Sequence, residues 1–266
     1  DLTLLPVDSV GRVSVDSLLS AIRNDTILVS IMAANNEIGT IQPIAALGDV
    51  CRQRGILFHS DAVQWFGKLP FSKISDFHAD LVSLCPHKFY GPKGAGLLFS
   101  KSPFCPSPFV LGGAHENERR AGTENLPAFL GMAKAIELFV PVPVFPKDSI
   151  LPLSEHLISS IDSLNSAVFL GDRCVSGRLF NTAAFSFPSS DSIALLGALD
   201  LEGICVSGGS ACSSGSISPS HVVSALGAGV AASCSLVRFS LGRDSSLSEI
   251  SSVFSSLSSL LSRFPS

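Results

Sequence analysis

Residues 26–64 read TILVSIMAANNEIGTIQPIAALGDVCRQRGILFHSDAVQ. An almost wholly apolar run, 26–32, is followed by a polar cluster, Asn35-Asn36-Glu37. Pro43 opens a stretch with helical spacing that Gly55 closes. A second apolar run then ends in the polar cluster Ser60-Asp61 with Gln64 beyond. Apolar strands separated by a helix are buried on both faces, which predicts a parallel sheet covered by helices. Working outward, LTLLPV (2–7) predicts a strand and VDSLLSAIRN (15–24) a helix. DLVSLC (80–85) predicts a further strand, followed by His87 and Lys88. Chemistry in such sheets collects at the carboxyl ends of the strands. Three polar clusters after three buried strands carry more weight than any one of them.

The pattern changes downstream. NLPAFLGMAKAIELF (125–139) predicts a helix, and VPVPVFP (140–146) breaks it. The boundary is placed there, with a larger α/β domain over 1–140 and a smaller α+β domain over 141–266. The second part holds helices near 153–164 and 191–203 and strands near 181–187 and 236–242. The serine-rich tail keeps Leu247, Ile250, Val253, Phe254, Leu257, Leu260 and Leu261 at helical spacing, so it predicts an amphipathic helix. Between these lies VSGGSACSSGS (206–216), where Cys212 sits among glycines and small hydroxylated residues. Cys205, just before it, reads as a buried strand cysteine.

Composition narrows the function classes. The 266 residues carry a net charge of -4 and are 46% hydrophobic. No apolar run approaches the ~20 residues that span a bilayer, and no Lys/Arg block exceeds two residues, which argues against a nucleic-acid footprint. Seven cysteines with no CxxC pair argue against structural zinc and fit a reducing compartment. The opening DLTLLPVDSV has neither Met nor a signal peptide and reads as the middle of a longer pattern.

Several side chains have both a plain and a chemical reading. A lysine just past a buried strand, as Lys88 is, is expected to be partly desolvated, which favours the neutral amine that condenses with an aldehyde. The plainer reading is a surface lysine in a glycine-rich loop, and Lys93 is its rival. Asp61 at a strand end needs a cation, for which the protonated ring nitrogen of pyridoxal phosphate (PLP) would serve. A helix-cap role is the alternative. His87 is either a phosphate donor or structural. RRAGTEN (119–125) is either an anion site before a helix or a basic corner capped by Thr123 or Asn125.

Six stretches in order resemble the cysteine desulfurases of the class V aminotransferase family: SIMAANNEIGTIQPI, FHSDAVQWFGKLP, DLVSLCPHKFYGPKGAG, GGAHENERRAGTEN, VSGGSACSSGS and VRFSLGR. They span nearly the whole sequence to about residue 243. The resemblance implies a PLP-dependent transferase of fold type I, with a mostly parallel central sheet flanked by helices and a smaller C-terminal α+β domain. It implies conversion of L-cysteine to L-alanine, leaving the sulfur as a persulfide on Cys212 for iron–sulfur cluster assembly or thiolation. Lys88 falls where the family's lysine carries PLP, Asp61 where the ring nitrogen is paired, and Gln64 where the ring hydroxyl is contacted. His87 matches a phosphate-side position and Asn36 a position near both cofactor and substrate. Thr123 matches a threonine that reaches the partner subunit's cofactor phosphate, which implies a homodimer. Arg238 matches the arginine that grips the substrate carboxylate. No resident metal is implied, only a transient iron–sulfur ligand role for Cys212. A sulfur-acceptor or iron–sulfur scaffold protein is the implied partner, with neither nucleic acid nor membrane. The bacterial cytoplasm or an organellar matrix is the implied location.

Two features depart from the family pattern. Cys85-Pro86 stands where the family usually has Ser-Gly before His-Lys. A thiol is a weaker donor to a phosphate and Pro lacks an N–H, so phosphate grip should weaken and Cys85 becomes a candidate second reactive thiol. The family's chains also start well before Asp1, in a part that carries a phosphate-binding turn and a ring-stacking histidine. Activity of these 266 residues alone is therefore a separate question from ancestry. The alternatives are a selenocysteine lyase on the same scaffold and a non-catalytic fragment or remnant that binds a partner chain.

Overall fold

A computed structural model describes residues 1–209 and 219–263, and these form two compact units. One comprises residues 22–33 and 43–144, the other residues 1–21, 34–42 and 145–266.

The first unit is built on a four-stranded sheet in the order β1-β2-β3-β4. Strands β1 (Leu28–Ser30), β2 (Leu57–Asp61) and β3 (Leu81–Leu84) run parallel, with Val29 opposite Phe58 and Asp61 opposite Ser83. Strand β4 (Leu97–Ser100) pairs antiparallel to β3 and closes the sheet at an edge where the sequence predicts no strand. Strand β1 is short, but Ile31 and Ala33 continue its ladder by donating to the carbonyls of His59 and Asp61. Helix α2 (Ile44–Arg54) buries Ile44, Leu47 and Val50, and ends where Gly55 turns left-handed and donates to the carbonyls of Cys51 and Arg52. Helix α4 (Leu126–Phe139) follows the single turn α3 (His115–Glu118) and is capped by Asn125, whose side chain accepts from the Ala128 amide. Asn125, not Thr123, is thus the cap.

The second unit contains helix α1 (Val15–Ala21) and a three-stranded antiparallel sheet, β5 (Val168–Leu170), β6 (Thr182–Ser186) and β7 (Leu236–Ser240). Helices α5 (Lys147–Asp162), α6 (Ser192–Leu201) and α9 (Leu247–Arg263) enclose a core of Leu157, Phe185, Leu195, Val237 and Leu257. Two short helices, α7 (His221–Ala225) and α8 (Gly229–Cys234), complete it. In α9 the predicted stripe is used: Ile250, Leu257 and Leu260 are buried. The serines of α9 settle their hydroxyls on the preceding turn, as Ser251 does on the carbonyl of Leu247 and Ser255 on that of Ser251. Residues 2–7 are not a strand. Leu2 and Leu4 are exposed and no neighbouring strand pairs with them among the described residues. Among the described residues no helix is long and apolar enough to cross a membrane.

Candidate functional site

In the first unit the sequence-predicted residues gather at the carboxyl ends of β2 and β3. Asp61 is the last residue of β2 and is exposed. One of its oxygens accepts from the Val63 amide at 2.9 Å. That bond closes a turn rather than capping a helix, since no helix follows Asp61, and among the described residues no cation pairs with Asp61. Beyond β3 the chain makes a 3-10 turn over Pro86–Lys88, which Pro86 favours by starting it with φ already set. Lys88 is half-buried there, followed by Phe89, which is fully buried. The turn is pinned from outside. Gly67 is left-handed with φ 72°, and a Cβ on it would lie 2.2 Å from the Phe89 Cβ, so only glycine lets the two segments approach.

Gln64 is held by a neighbour the sequence reading passed over. Lys68, though only 6% exposed, donates to the Gln64 Oε1. With its carbonyl engaged, the amide presents its NH2 donor. The signal for Lys68 was its i+4 spacing from Gln64 on one turn of chain. His59 was also passed over. Its ring lies between the hydroxyls of Ser30 (2.8 Å) and Ser83 (2.9 Å), and burial holds it below the ordinary imidazole range.

Cys85 is buried, with its sulfur 3.7 Å from the His87 Nε2. Burial pushes its thiol up, Asp61 adds to that, and Lys88 and Lys68 oppose it. Burial that disfavours the thiolate weighs against Cys85 as a second reactive cysteine, while Lys88 and Lys68 work the other way. His87 is lowered by partial burial and by the charges of Lys88 and Lys93. A neutral imidazole can still donate one hydrogen bond to an anion. Thr123 is exposed in the segment before α4.

In the second unit, Asn36, Glu37 and Arg238 come together. The turn 35–40 is built by Asn35, whose side chain accepts from the amides of Glu37 (2.8 Å) and Ile38 (3.0 Å). Arg238, on β7, is locked in place by its backbone pairing with Ser207. Its Nη1 donates to the Asn36 carbonyl at 2.6 Å. Its Nε is buried and finds no partner among the described residues. The guanidinium edge bearing Nε is therefore uncommitted, and that edge is the planar fork that grips a carboxylate with two bonds. Burial lowers the Arg238 pKa, and the charge of Glu37 opposes the shift. Glu37 is 2% exposed and accepts from the Ser220 hydroxyl at 2.6 Å. The sequence signal for Glu37 was a carboxylate placed immediately before an apolar residue and a glycine.

Cys212 lies outside the described residues. Cys205 is exposed and in no strand, which corrects its reading as a buried strand cysteine. It follows the left-handed Gly203 at the end of α6, where the chain turns over the surface.

The family model for aminotransferase class-V matches residues 1–253. A protein of Dictyoglomus turgidum named cysteine desulfurase IscS is 44% identical over 243 residues, which are 91% of this chain and 61% of that protein. A mitochondrial cysteine desulfurase of Candida maltosa is 38% identical over 97% of this chain and 53% of its own length. Among solved structures, a NifS-like protein superposes with a TM-score of 0.88 at 33% identity, covering 98% of this chain and 68% of its own. The chain thus spans roughly three-fifths of the first of these curated relatives.

Proposed function

The chain belongs to the class-V aminotransferase family, and from that membership we propose that it is the greater part of a PLP-dependent cysteine desulfurase. One observation carries the reading. Asp61 ends β2 and Lys88 lies in the turn just beyond the neighbouring parallel strand β3, and among the described residues no ion pair joins them. Asp61 would hold the cationic ring nitrogen of a heteroaromatic cofactor, and Lys88 would supply the amine that condenses with its aldehyde. The residues fit the cofactor in other respects: Gln64 has an NH2 to offer a ring oxygen, and His87 has a donor for a phosphate. Cys85 and Pro86 fit less well, since neither supplies a good donor. When bound, PLP supplies an electron sink at the substrate carbon.

The remaining work falls to the chain itself. Lys88 would hold the cofactor, and its Nζ would carry a proton to and from the substrate. Arg238 binds the substrate carboxylate through its Nε edge, and Asn36 fixes the arginine through its carbonyl. In the sulfur-transfer step, the Cys212 thiolate attacks the sulfur of the bound cysteine. The carbon–sulfur bond breaks, a sulfur–sulfur bond forms, and the carbon fragment keeps the electron pair and takes up a proton. The products are L-alanine and a persulfide on Cys212. An acceptor or iron–sulfur scaffold protein then takes the sulfur, in a bacterial cytoplasm or an organellar matrix. The same reading keeps a division near residue 140, where Pro141 and Pro143 stop the helix, and a homodimer in which Thr123 faces the partner's cofactor.

Borohydride reduction of the full-length, PLP-loaded protein followed by peptide mapping tests the cofactor site. The adduct is expected on Lys88. An adduct on Lys93 would overturn the assignment.

A further inference from the structure

Glu37 is a buried carboxylate to which the mechanism above gives no task. Its side chain is almost inaccessible. Its one hydrogen bond among the described residues comes from Ser220, the N-cap of α7. Gly209 lies against it: a Cβ at that position would be 3.2 Å from the Glu37 Oε2. The carboxylate thus has Ser220 on one side and the Gly209 backbone on another. Arg238 is linked to the preceding residue through the Asn36 carbonyl, and among the described residues no direct ion pair joins it to Glu37. The guanidinium's Nε is buried with no partner among the described residues, and the buried Glu37 carboxyl stands near enough to act on the Arg238 charge.

We propose that Glu37 is the resident counter-charge of Arg238, a positioning and affinity-setting residue that keeps the buried guanidinium compensated before substrate arrives and weakens its hold on the substrate carboxylate. The inference rests on the reading of Arg238 as the carboxylate site. Two physical consequences follow from the geometry. A buried cation left alone is costly, and removing one partner of such a pair destabilises the fold more than removing both. A fixed anion beside the binding cation repels an incoming anion, and in a site of low effective dielectric the repulsion acts across several ångströms. Product alanine carries the same carboxylate as cysteine, so the repulsion would also speed alanine's release.

The test is calorimetric titration of the full-length, PLP-loaded protein with L-alanine and with ethylamine, which is alanine without its carboxylate. Glu37→Gln keeps an acceptor for Ser220 and removes only the charge. It is expected to bind L-alanine on the order of ten-fold more tightly, to bind ethylamine as the wild type does, and to lose that gain in an Arg238→Met background. Unchanged or weaker alanine binding by Glu37→Gln would overturn the inference. If Arg238→Met alone leaves alanine affinity intact, the underlying reading of the carboxylate site fails instead. Denaturation midpoints give a second test that does not need a well-behaved single variant. The double variant Glu37→Gln/Arg238→Met should be more stable than Glu37→Gln alone, and equal or lower stability would contradict the counter-charge.

Discussion

At the scale of single residues, Arg238 shows how the site separates charge from geometry. Its backbone is fixed in β7, one guanidinium nitrogen is committed to Asn36, and the buried Nε has no partner among the described residues, the edge proposed above for the substrate carboxylate. Arg238→Lys keeps the charge and loses the fork. It is expected to weaken cysteine binding by ~1.5–3 kcal/mol, the range for hydrogen bonds to charged groups, while PLP stays bound. A KM for cysteine equal to wild type would contradict that role. The thiols separate in the same way. Burial raises the Cys51 pKa to about 11 and also raises that of Cys85, whereas Cys205 lies open at the surface. Cys205→Ser is expected to leave alanine production unchanged, as measured by turnover of the full-length enzyme. A loss of turnover there would assign chemistry to the wrong cysteine.

At the scale of elements, the site depends on how closely neighbouring segments approach. Gly67 meets Phe89, the residue after Lys88, in a left-handed conformation with no room for a methyl group. Gly67→Ala combines overpacking with a disfavoured backbone and should cost about 2–4 kcal/mol, and it should shift the Lys88 turn. Its signature would be a lowered unfolding midpoint together with weaker PLP retention. A fully stable variant would show that the approach is not tight. These elements were legible to different degrees. The helices around 44–54, 126–139 and 192–201 could be read because Pro43, Gly55, Asn125 and Asp191 mark their ends in the sequence. Strands β1–β3 could be read from unbroken apolar runs, although only alternate positions, Val29, Phe58 and Val82 among them, are buried and the expected burial of both faces is not seen. Strand β4 could not, because an antiparallel edge strand beside Gly94 and Gly96 carries no distinctive period. Residues 2–7 misled because an apolar run predicts a strand only where another strand pairs with it. In the site, Lys88, Asp61, Gln64 and Arg238 stood out through motif order. Lys68 and Glu37 did not, because each is defined by what it touches.

At the scale of the whole molecule, pH and assembly offer further tests. His59 is half-buried between two serines with its pKa held low. The fold therefore favours its neutral form. That stability is fully present above the ordinary imidazole value of about 6.5 and is lost as pH falls below it, because the unfolded chain takes up the proton first. Between pH 8 and 5.5, His59→Gln should show a flatter dependence of the urea midpoint than wild type. Parallel curves would remove His59 from the account. The full-length protein is expected to sediment as a dimer, since Thr123 is exposed and is proposed to serve the neighbouring site, and an active monomer would contradict this. The central claim is that sulfur passes from cysteine to Cys212. The direct measurement is mass spectrometry of the PLP-loaded, full-length protein after one exposure to L-cysteine without reductant. The account predicts a gain of one sulfur atom on the peptide carrying Cys212, formed with alanine and absent in Cys212→Ser. Alanine produced with no sulfur on that peptide, or undiminished turnover in Cys212→Ser, would contradict it.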